Sequence, residues 1–128
     1  MNKEIVYSKK APAAIGPYTQ GVKAGDLLFI SGQLPIDPGT GELLTGDIQT
    51  QTKQVMENLK AIIEEAGATL EDVVKTTIFL KDMNQFSLVN EAYGEYFKDN
   101  PPARACIEIA RLPKDAQIEI EAVVLVKN

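Results

Sequence analysis

The hydrophobic positions of the chain follow two kinds of pattern, and the first is helical. Between residues 48 and 66, apolar side chains recur every three or four residues, which is the period of one face of an α-helix. Asp47 is placed to cap the first turn and Gly67 to follow the last one. We therefore predict a helix that begins at Ile48, with a stripe made of Ile48, Thr52, Val55, Met56, Leu59, Ile62, Ile63 and Ala66.

A second, weaker helical pattern covers residues 83–97. Its stripe consists of Phe86, Val89, Tyr93 and either Tyr96 or Phe97. Gly94 weakens this prediction because glycine costs a helix about 1 kcal/mol relative to alanine. The proline pair at 101–102 ends the segment.

The remaining apolar segments are rich in branched or aromatic residues and predict strands at 5–7, 20–23, 27–31, 73–80, 103–110 and 117–126. A turn at 24–26 suggests a hairpin, and residues 32–46 read as a loop. The predicted order is β-β-α-β-α-β-β. This order fits one α+β domain, residues 1–128, with two helices on one face of a mixed sheet.

Alternation along the last two strands separates two faces. We expect the isoleucines at 107, 109, 118 and 120 to lie beneath the helices. The opposite face then carries Arg104, Cys106, Glu108, Glu119, Glu121, Val123 and Leu125. Part of that face is apolar, so we expect a partner subunit to cover it; a register slip of one residue would reverse the assignment.

Composition narrows the possible chemistry. The 128 residues carry a net charge of −5 and a pI of about 4.7, which disfavours nucleic acid as a partner. The chain has no histidine and one cysteine. This excludes His-dependent nucleophilic catalysis, an intramolecular disulfide and a cysteine-cluster zinc site. No signal peptide or membrane-spanning run is visible, so we expect a cytoplasmic protein.

Arg104 is the main candidate for binding chemistry, because a partly buried guanidinium needs an anionic partner. One interpretation supplies the partner from within the chain, as an ion pair with Glu119 or Glu121. The other supplies it from a ligand carboxylate, held by the planar fork of the guanidinium.

Six further positions have both a structural and a functional interpretation. Cys106 is most simply a small buried hydrophobe. Glu119 and Glu121 form a solvated stripe unless Glu119 faces the pocket of Arg104 and holds a water. Tyr18 is either a staple or a pocket wall. Ser31, which precedes Gly32, is a hydrogen-bond donor rather than a nucleophile. Asn90 is a polar group near the sheet and needs a hydrogen-bond partner.

Several stretches together resemble the Rid family (formerly the YjgF group), and within it the RidA subgroup of enamine/imine deaminases. They are residues 11–20 (APAAIGPYTQ), 29–35 (FISGQLP), 74–82 (VKTTIFLKD), 102–113 (PARACIEIARLP) and 118–122 (IEIEA). The resemblance covers essentially the whole chain. It departs at residues 98–102, where the segment is shorter than in some relatives and has Pro101 in place of an aromatic residue.

The resemblance implies a chorismate-mutase-like fold and a homotrimer in which the sheets form a barrel, with clefts between subunits. It also implies hydrolysis of 2-imino acids, such as 2-iminobutanoate and 2-iminopropanoate, to 2-oxo acids and ammonia, without metal or cofactor. Pyridoxal-phosphate enzymes such as threonine and serine dehydratases release these imines.

Residue by residue, the resemblance implies that Arg104 binds the substrate carboxylate and that the backbone of Cys106 faces the imino group. Glu119 positions the water, and Tyr18 lines the cleft; Ser31, Gly32 and Asn90 are further pocket positions. The alternatives are a carboxylate-binding, regulatory or chaperone-like module without catalysis, and an endoribonuclease that inhibits translation.

Overall fold

The described part of the chain, residues 2–127 of a computed structural model, forms one mixed sheet with two helices packed on one of its faces. Met1 and Asn128, the ends of the predicted 1–128 domain, lie outside the described residues. The predicted fold class is confirmed. Six strands are present where the predicted order counted five, because two short N-terminal segments both pair in the sheet.

The strands are β1 (Lys3–Val6), β2 (Gly21–Ala24), β3 (Leu27–Gln33), β4 (Val73–Leu80), β5 (Ala103–Glu108) and β6 (Ile118–Leu125). Their spatial order is β1-β2-β3-β6-β4-β5. All neighbours are antiparallel except β4 and β5, which are parallel. The predicted hairpin is β2–β3, and Gly25 adopts the positive φ of 62° that its tight turn requires.

Helix α1 (Ile48–Glu65) matches its predicted start and stripe. The Asp47 carboxylate accepts a hydrogen bond from the backbone N–H of Thr50 at 2.9 Å, which satisfies one free donor of the first turn. Gly67 follows the helix with a φ of 82°. The buried stripe of α1 packs on the sheet and forms the core together with Leu28, Ile30, Ile78, Leu80, Ile118, Ile120 and Val124.

Helix α2 (Phe86–Gly94) is shorter than predicted. The first predicted turn is a separate 3-10 turn, Met83–Gln85, which Asp82 caps through the backbone N–H of Asn84 at 2.9 Å. The helix ends at Gly94, as the low helix propensity of glycine favours. Within residues 2–127, no helix is both long enough and apolar enough to cross a membrane.

The predicted facing of β5 is wrong. Ile107 is 45% exposed, and Ile109 lies beyond the end of the strand. Cys106 pairs with Ile78 and Arg104 with Thr76, so these two residues share the helix-covered face with the buried Ile120. The physical reason is that β5 is the edge strand. Its helix-side positions meet the margin of α2, where a long polar side chain reaches the surface.

The opposite face of the sheet is open and mixed in character. Glu119, Glu121, Val123 and Leu125 lie on it, as predicted, because they alternate with the buried residues of β6. Phe29 of β3 pairs with Val123 and is 47% exposed, and Leu125 is 40% exposed. A contiguous group of exposed apolar side chains of this kind is a feature of interaction surfaces.

Candidate functional site

The residues predicted for the site divide into two groups on opposite faces of the sheet. Tyr18, Ser31, Gly32 and Glu119 line one cavity on the open face. Arg104 and Cys106 lie on the helix side of β5, and Asn90 meets them from α2. Of the two interpretations of Arg104, the ion pair with Glu119 or Glu121 of the same chain is therefore wrong. A whole sheet separates these charges.

The open-face cavity has a volume of about 590 Å³. Its walls come from the loop before β2, the end of β3, the start of β6 and the segment around Lys114. Ile15, Leu34 and Ile36 make part of the lining apolar. An apolar pocket with a few convergent polar groups is the usual form of a small-molecule site.

Ser31 and Gly32 form a β-bulge at the rim of this cavity. Ile30 pairs with Ala122 and Gln33 pairs with Ile120, so two residues of β3 stand opposite one residue of β6. The backbone N–H of Ser31 donates to Gln20 O at 2.9 Å, and its hydroxyl donates to Thr19 O at 2.5 Å. Ser31 thus acts as a hydrogen-bond donor that ties the bulge to the loop of Tyr18.

Gly32 gives room to the carboxylate of Glu119. A Cβ at position 32 would lie 2.6 Å from Glu119 Cδ, closer than real Cβ contacts come. Glu119 is half-buried, and burial raises the pKa of its carboxyl, with the charge of Glu121 raising it further. A carboxylate with a raised pKa is a stronger base, and no hydrogen bond from residues 2–127 contributes to the pKa of Glu119.

Tyr18 is a wall of the cavity rather than a core staple, since its side chain is 52% exposed. Its hydroxyl accepts a hydrogen bond from the backbone N–H of Ile15 at 3.4 Å. Gln20, which the sequence reading missed, anchors this loop: its buried amide binds Ser8 N, Ser8 O and Pro12 O at 2.6, 3.0 and 2.8 Å.

The guanidinium of Arg104 rests on one face of α2. Phe86, Asn90 and Tyr93 are spaced four and three residues apart, so they share a face of the helix; we call them the α2 cradle. Arg104 Cζ lies 5.4 Å from the ring centroid of Phe86 and 5.2 Å from that of Tyr93. Arg104 Nη1 donates to Asn90 Oδ1 at 2.7 Å. Asn90 thus has the partner that its position required.

Cys106 packs against the core and is half-buried, as expected of a small hydrophobe. Burial raises the pKa of its thiol, while the charge of Arg104 opposes that shift. The N–H of Ile109 donates to Leu80 O at 2.9 Å. The two-residue period of a strand then directs the N–H of Cys106 away from β4, to the free edge beside Arg104.

A second cavity contains none of the predicted site residues. A smaller cavity of about 170 Å³ lies between Leu70 and Asn100. Among residues 2–127, no cluster of three or more His, Cys, Asp or Glu side chains has the arrangement of a metal site.

The geometry defines a class of mixed α+β domain with an open, partly apolar sheet face, on which a largely apolar cavity carries a few polar groups. The model of the endoribonuclease L-PSP family matches residues 8–126. The chain therefore belongs to this family, and the resemblance to the Rid family is confirmed.

Individual relatives match over nearly their whole length. A RutC family protein of Pyrococcus abyssi is 57% identical over 96% of this chain and 97% of its own. The 2-iminobutanoate/2-iminopropanoate deaminase of Escherichia coli K12 is 50% identical over 96% of this chain and 97% of its own. The crystal structure of E. coli TdcF with bound serine superposes with a TM-score of 0.92 at 43% identity, covering 97% of this chain and 99% of TdcF.

Proposed function

We propose that the protein is an imine deaminase, which hydrolyses 2-imino acids to 2-oxo acids and ammonia. The observation that carries this function is the Glu119 carboxylate, half-buried in a cavity where desolvation raises its pKa. Such a group can hold a water and take its proton at neutral pH. The 50% identity to a protein named as such a deaminase supports the same activity.

The complete site requires two copies of the chain. In the sheet order, β4 lies between β5 and β6, so Arg104 and Glu119 are two strands apart, about 10 Å across, and point to opposite faces. One small imino acid does not span that separation. A second subunit packed on the open face places its Arg104 beside the first subunit's Glu119, and the exposed Phe29 and Leu125 give that contact an apolar surface. The homotrimer with three clefts, which the family resemblance implies, has this arrangement.

Arg104 anchors the substrate. A guanidinium has five N–H donors, and Asn90 uses one of them. The others remain to grip a carboxylate in the bidentate geometry that fixes its plane. This contact fixes the position of the imine carbon in the cleft, so that a water held nearby attacks it in an effectively unimolecular step.

Glu119 then directs the hydrolysis. It takes a proton from a water as the water oxygen bonds to the carbon of the protonated imine. This gives a tetrahedral amino alcohol, in which the C=N double bond has become a single bond. Glu119 passes that proton to the nitrogen and ammonia leaves. The hydroxyl gives its own proton to Glu119 as its oxygen becomes the carbonyl of the 2-oxo acid, and transfer of this proton to ammonia restores the carboxylate. Cys106 takes part through its backbone groups at the edge of β5, which face the imino group, and not through its thiol.

The substrates that fit are small 2-imino acids such as 2-iminobutanoate and 2-iminopropanoate, released by pyridoxal-phosphate dehydratases. An ordinary ribonuclease role fits less well. RNA binding depends on neutralising phosphates, and this chain has a net charge of −5 and no histidine for acid–base cleavage.

The test compares the wild type with Glu119→Gln on 2-iminobutanoate formed continuously from threonine by a dehydratase. The variant keeps the shape of the side chain and loses the base. We expect kcat to fall about 10²- to 10⁴-fold, the usual contribution of a general base. Equal rates for the two proteins would exclude Glu119 as the base.

A further inference from the structure

The α2 cradle has a feature that the hydrolysis itself does not explain. Phe86 and Tyr93 place two aromatic rings near the guanidinium of Arg104, which lies on an exposed edge strand. Within residues 2–127, no carboxylate lies within ion-pair distance of Arg104. The side chain is therefore held by π faces and one amide rather than by an opposite charge.

Uncharged partners suit an arginine whose guanidinium is to bind a substrate anion. A carboxylate partner would occupy the same N–H donors as the substrate and neutralise the charge. An aromatic ring attracts the cation through the negative charge of the ring face and adds no carboxylate oxygen that would compete with a ligand. Asn90 is uncharged and takes one donor, so the net positive charge remains available to the ligand.

The cradle is itself fixed from behind. The hydroxyl groups of Tyr93 and Thr76 are 2.6 Å apart in a buried hydrogen bond, and Thr76 is the β4 residue that pairs with Arg104. The ring of Phe97 packs on that of Tyr93 at 5.0 Å between centroids. Burial raises the pKa of Tyr93, and the nearby Arg104 charge opposes the shift. The Tyr93 ring of α2 and Arg104 of β5 are therefore both tied to Thr76 of β4.

We propose that Phe86 and Tyr93 are positioning residues that hold the Arg104 guanidinium in its carboxylate-binding orientation before the substrate arrives. Pre-orienting a long side chain removes an entropy loss that would otherwise oppose binding. This inference rests on the proposed function, since it assigns Arg104 to the substrate carboxylate.

The first test is Phe86→Leu. We expect kcat/KM to fall about three- to tenfold, the range that one cation–π contact supports. The change should appear mainly in KM, because the anchor is held equally in the bound substrate and the transition state. Phe86→Tyr, which keeps the ring, should restore the wild-type value. Tyr96→Leu is the control: its hydroxyl contacts Glu57 at 2.8 Å and it is not part of the cradle.

The second test is chemical rescue. In Arg104→Ala, guanidinium ion at low millimolar concentration, far below denaturing levels, should bind in the empty cradle and restore part of the activity. In the double variant Phe86→Leu/Arg104→Ala the rescue should be at least threefold weaker. If Phe86→Leu does not fold, Phe86→Met replaces it, since methionine keeps the volume without a ring. Equal rescue in the two backgrounds, or an unchanged KM for the ring-free variant, would overturn the inference.

A readout independent of activity separates this inference from the proposed function. The Arg104 Nε–H resonance, assigned by its loss in Arg104→Ala, should carry a ring-current shift that decreases in Phe86→Leu. If that shift is present but the wild type does not hydrolyse 2-imino acids, the proposed function fails and the cradle geometry stands. If the wild type is active and the shift is absent, the cradle assignment fails.

Discussion

The two halves of the proposed site lie too far apart in one chain to act together, so two inactive variants should complement each other. Arg104→Ala lacks the anchor and retains Glu119; Glu119→Gln lacks the base and retains Arg104. In a mixed oligomer, a subunit that supplies Arg104 can face a subunit that supplies Glu119. That cleft has both groups intact.

The expected activity follows from counting. Loss of a charge-assisted hydrogen-bonding group costs about 1.5–3 kcal/mol, so Arg104→Ala alone should keep about 10% of wild-type activity or less. Glu119→Gln alone should keep about 1% or less. With equal, random mixing, half of the clefts receive an intact Arg104 and half of those an intact Glu119. The mixture should thus recover about a quarter of wild-type activity for any closed ring of subunits.

The assay coexpresses the two variants at equal levels, purifies all their oligomers together through a tag that both variants carry, and measures 2-iminobutanoate hydrolysis. The composition of each preparation is checked by mass spectrometry. Separately assembled variants, mixed without exchange, give the background.

A second mixture sharpens the result. Wild type coexpressed with the double variant Arg104→Ala/Glu119→Gln should show about a quarter of full activity when each cleft draws on two subunits, and about half when each chain carries a whole site. Complementation that stays at background, together with half activity in the second mixture, would refute the shared cleft.

Four further outcomes follow from the structure. Gly32→Ala should displace the Glu119 carboxylate, since its Cβ would meet Glu119 Cδ at 2.6 Å, and steady-state kinetics should show a fall mainly in kcat. Glu121→Gln removes a charge that raises the pKa of Glu119. The base then stays deprotonated to lower pH, so the acid limb of kcat/KM, measured as a ratio to wild type, should move to lower pH; an unchanged limb would disprove the coupling. Arg104→Lys should bind 2-iminobutanoate more weakly, with a raised KM, because an ammonium lacks the bidentate fork. Gly94→Ala places a methyl group in open space near the end of α2. It should raise the free energy of unfolding by about 0.5–1 kcal/mol, measured as a higher melting temperature, without changing turnover.

The helices and most strands could be predicted because their signals are local. The three- and four-residue period of α1, its cap at Asp47 and the glycine after its end are all visible in the sequence. The hairpin β2–β3 has its turn residue, and β6 alternates cleanly between buried and open positions. Each of these features depends on residues close together along the chain.

The facing of β5 could not be predicted, because alternation defines two sets of residues and does not say which one faces the helices. We placed the branched set, which includes Ile107, inside. The deciding residues are on α2, where Phe86, Asn90 and Tyr93 provide a surface for the long side chain of Arg104. That contact spans more than ten residues of sequence and appears only when β5 pairs with β4.

The site was predicted as a set of residues but not as a geometry. Glu119, Ser31, Gly32 and Tyr18 do share a cavity. Their separation from Arg104 depends on strand order, which puts β4 between β5 and β6, and on the pairing registers, which put Arg104 and Glu119 on opposite faces. The sequence of one chain carries no direct signal for a site that two copies complete. The spacing of Phe86, Asn90 and Tyr93 is the one local signal for the cradle, and the stripe predicted for this helix correctly contains its two aromatic residues.

The most direct test of the account is the lifetime of the imine. Threonine and a dehydratase generate 2-iminobutanoate in the presence of semicarbazide, which traps the imine that survives. We predict that the wild-type protein lowers the yield of trapped imine and that Arg104→Ala leaves it near the level seen with the dehydratase alone. If neither protein changes the yield, the chain is not an imine deaminase. If both lower it equally, Arg104 is not the anchor of the substrate carboxylate.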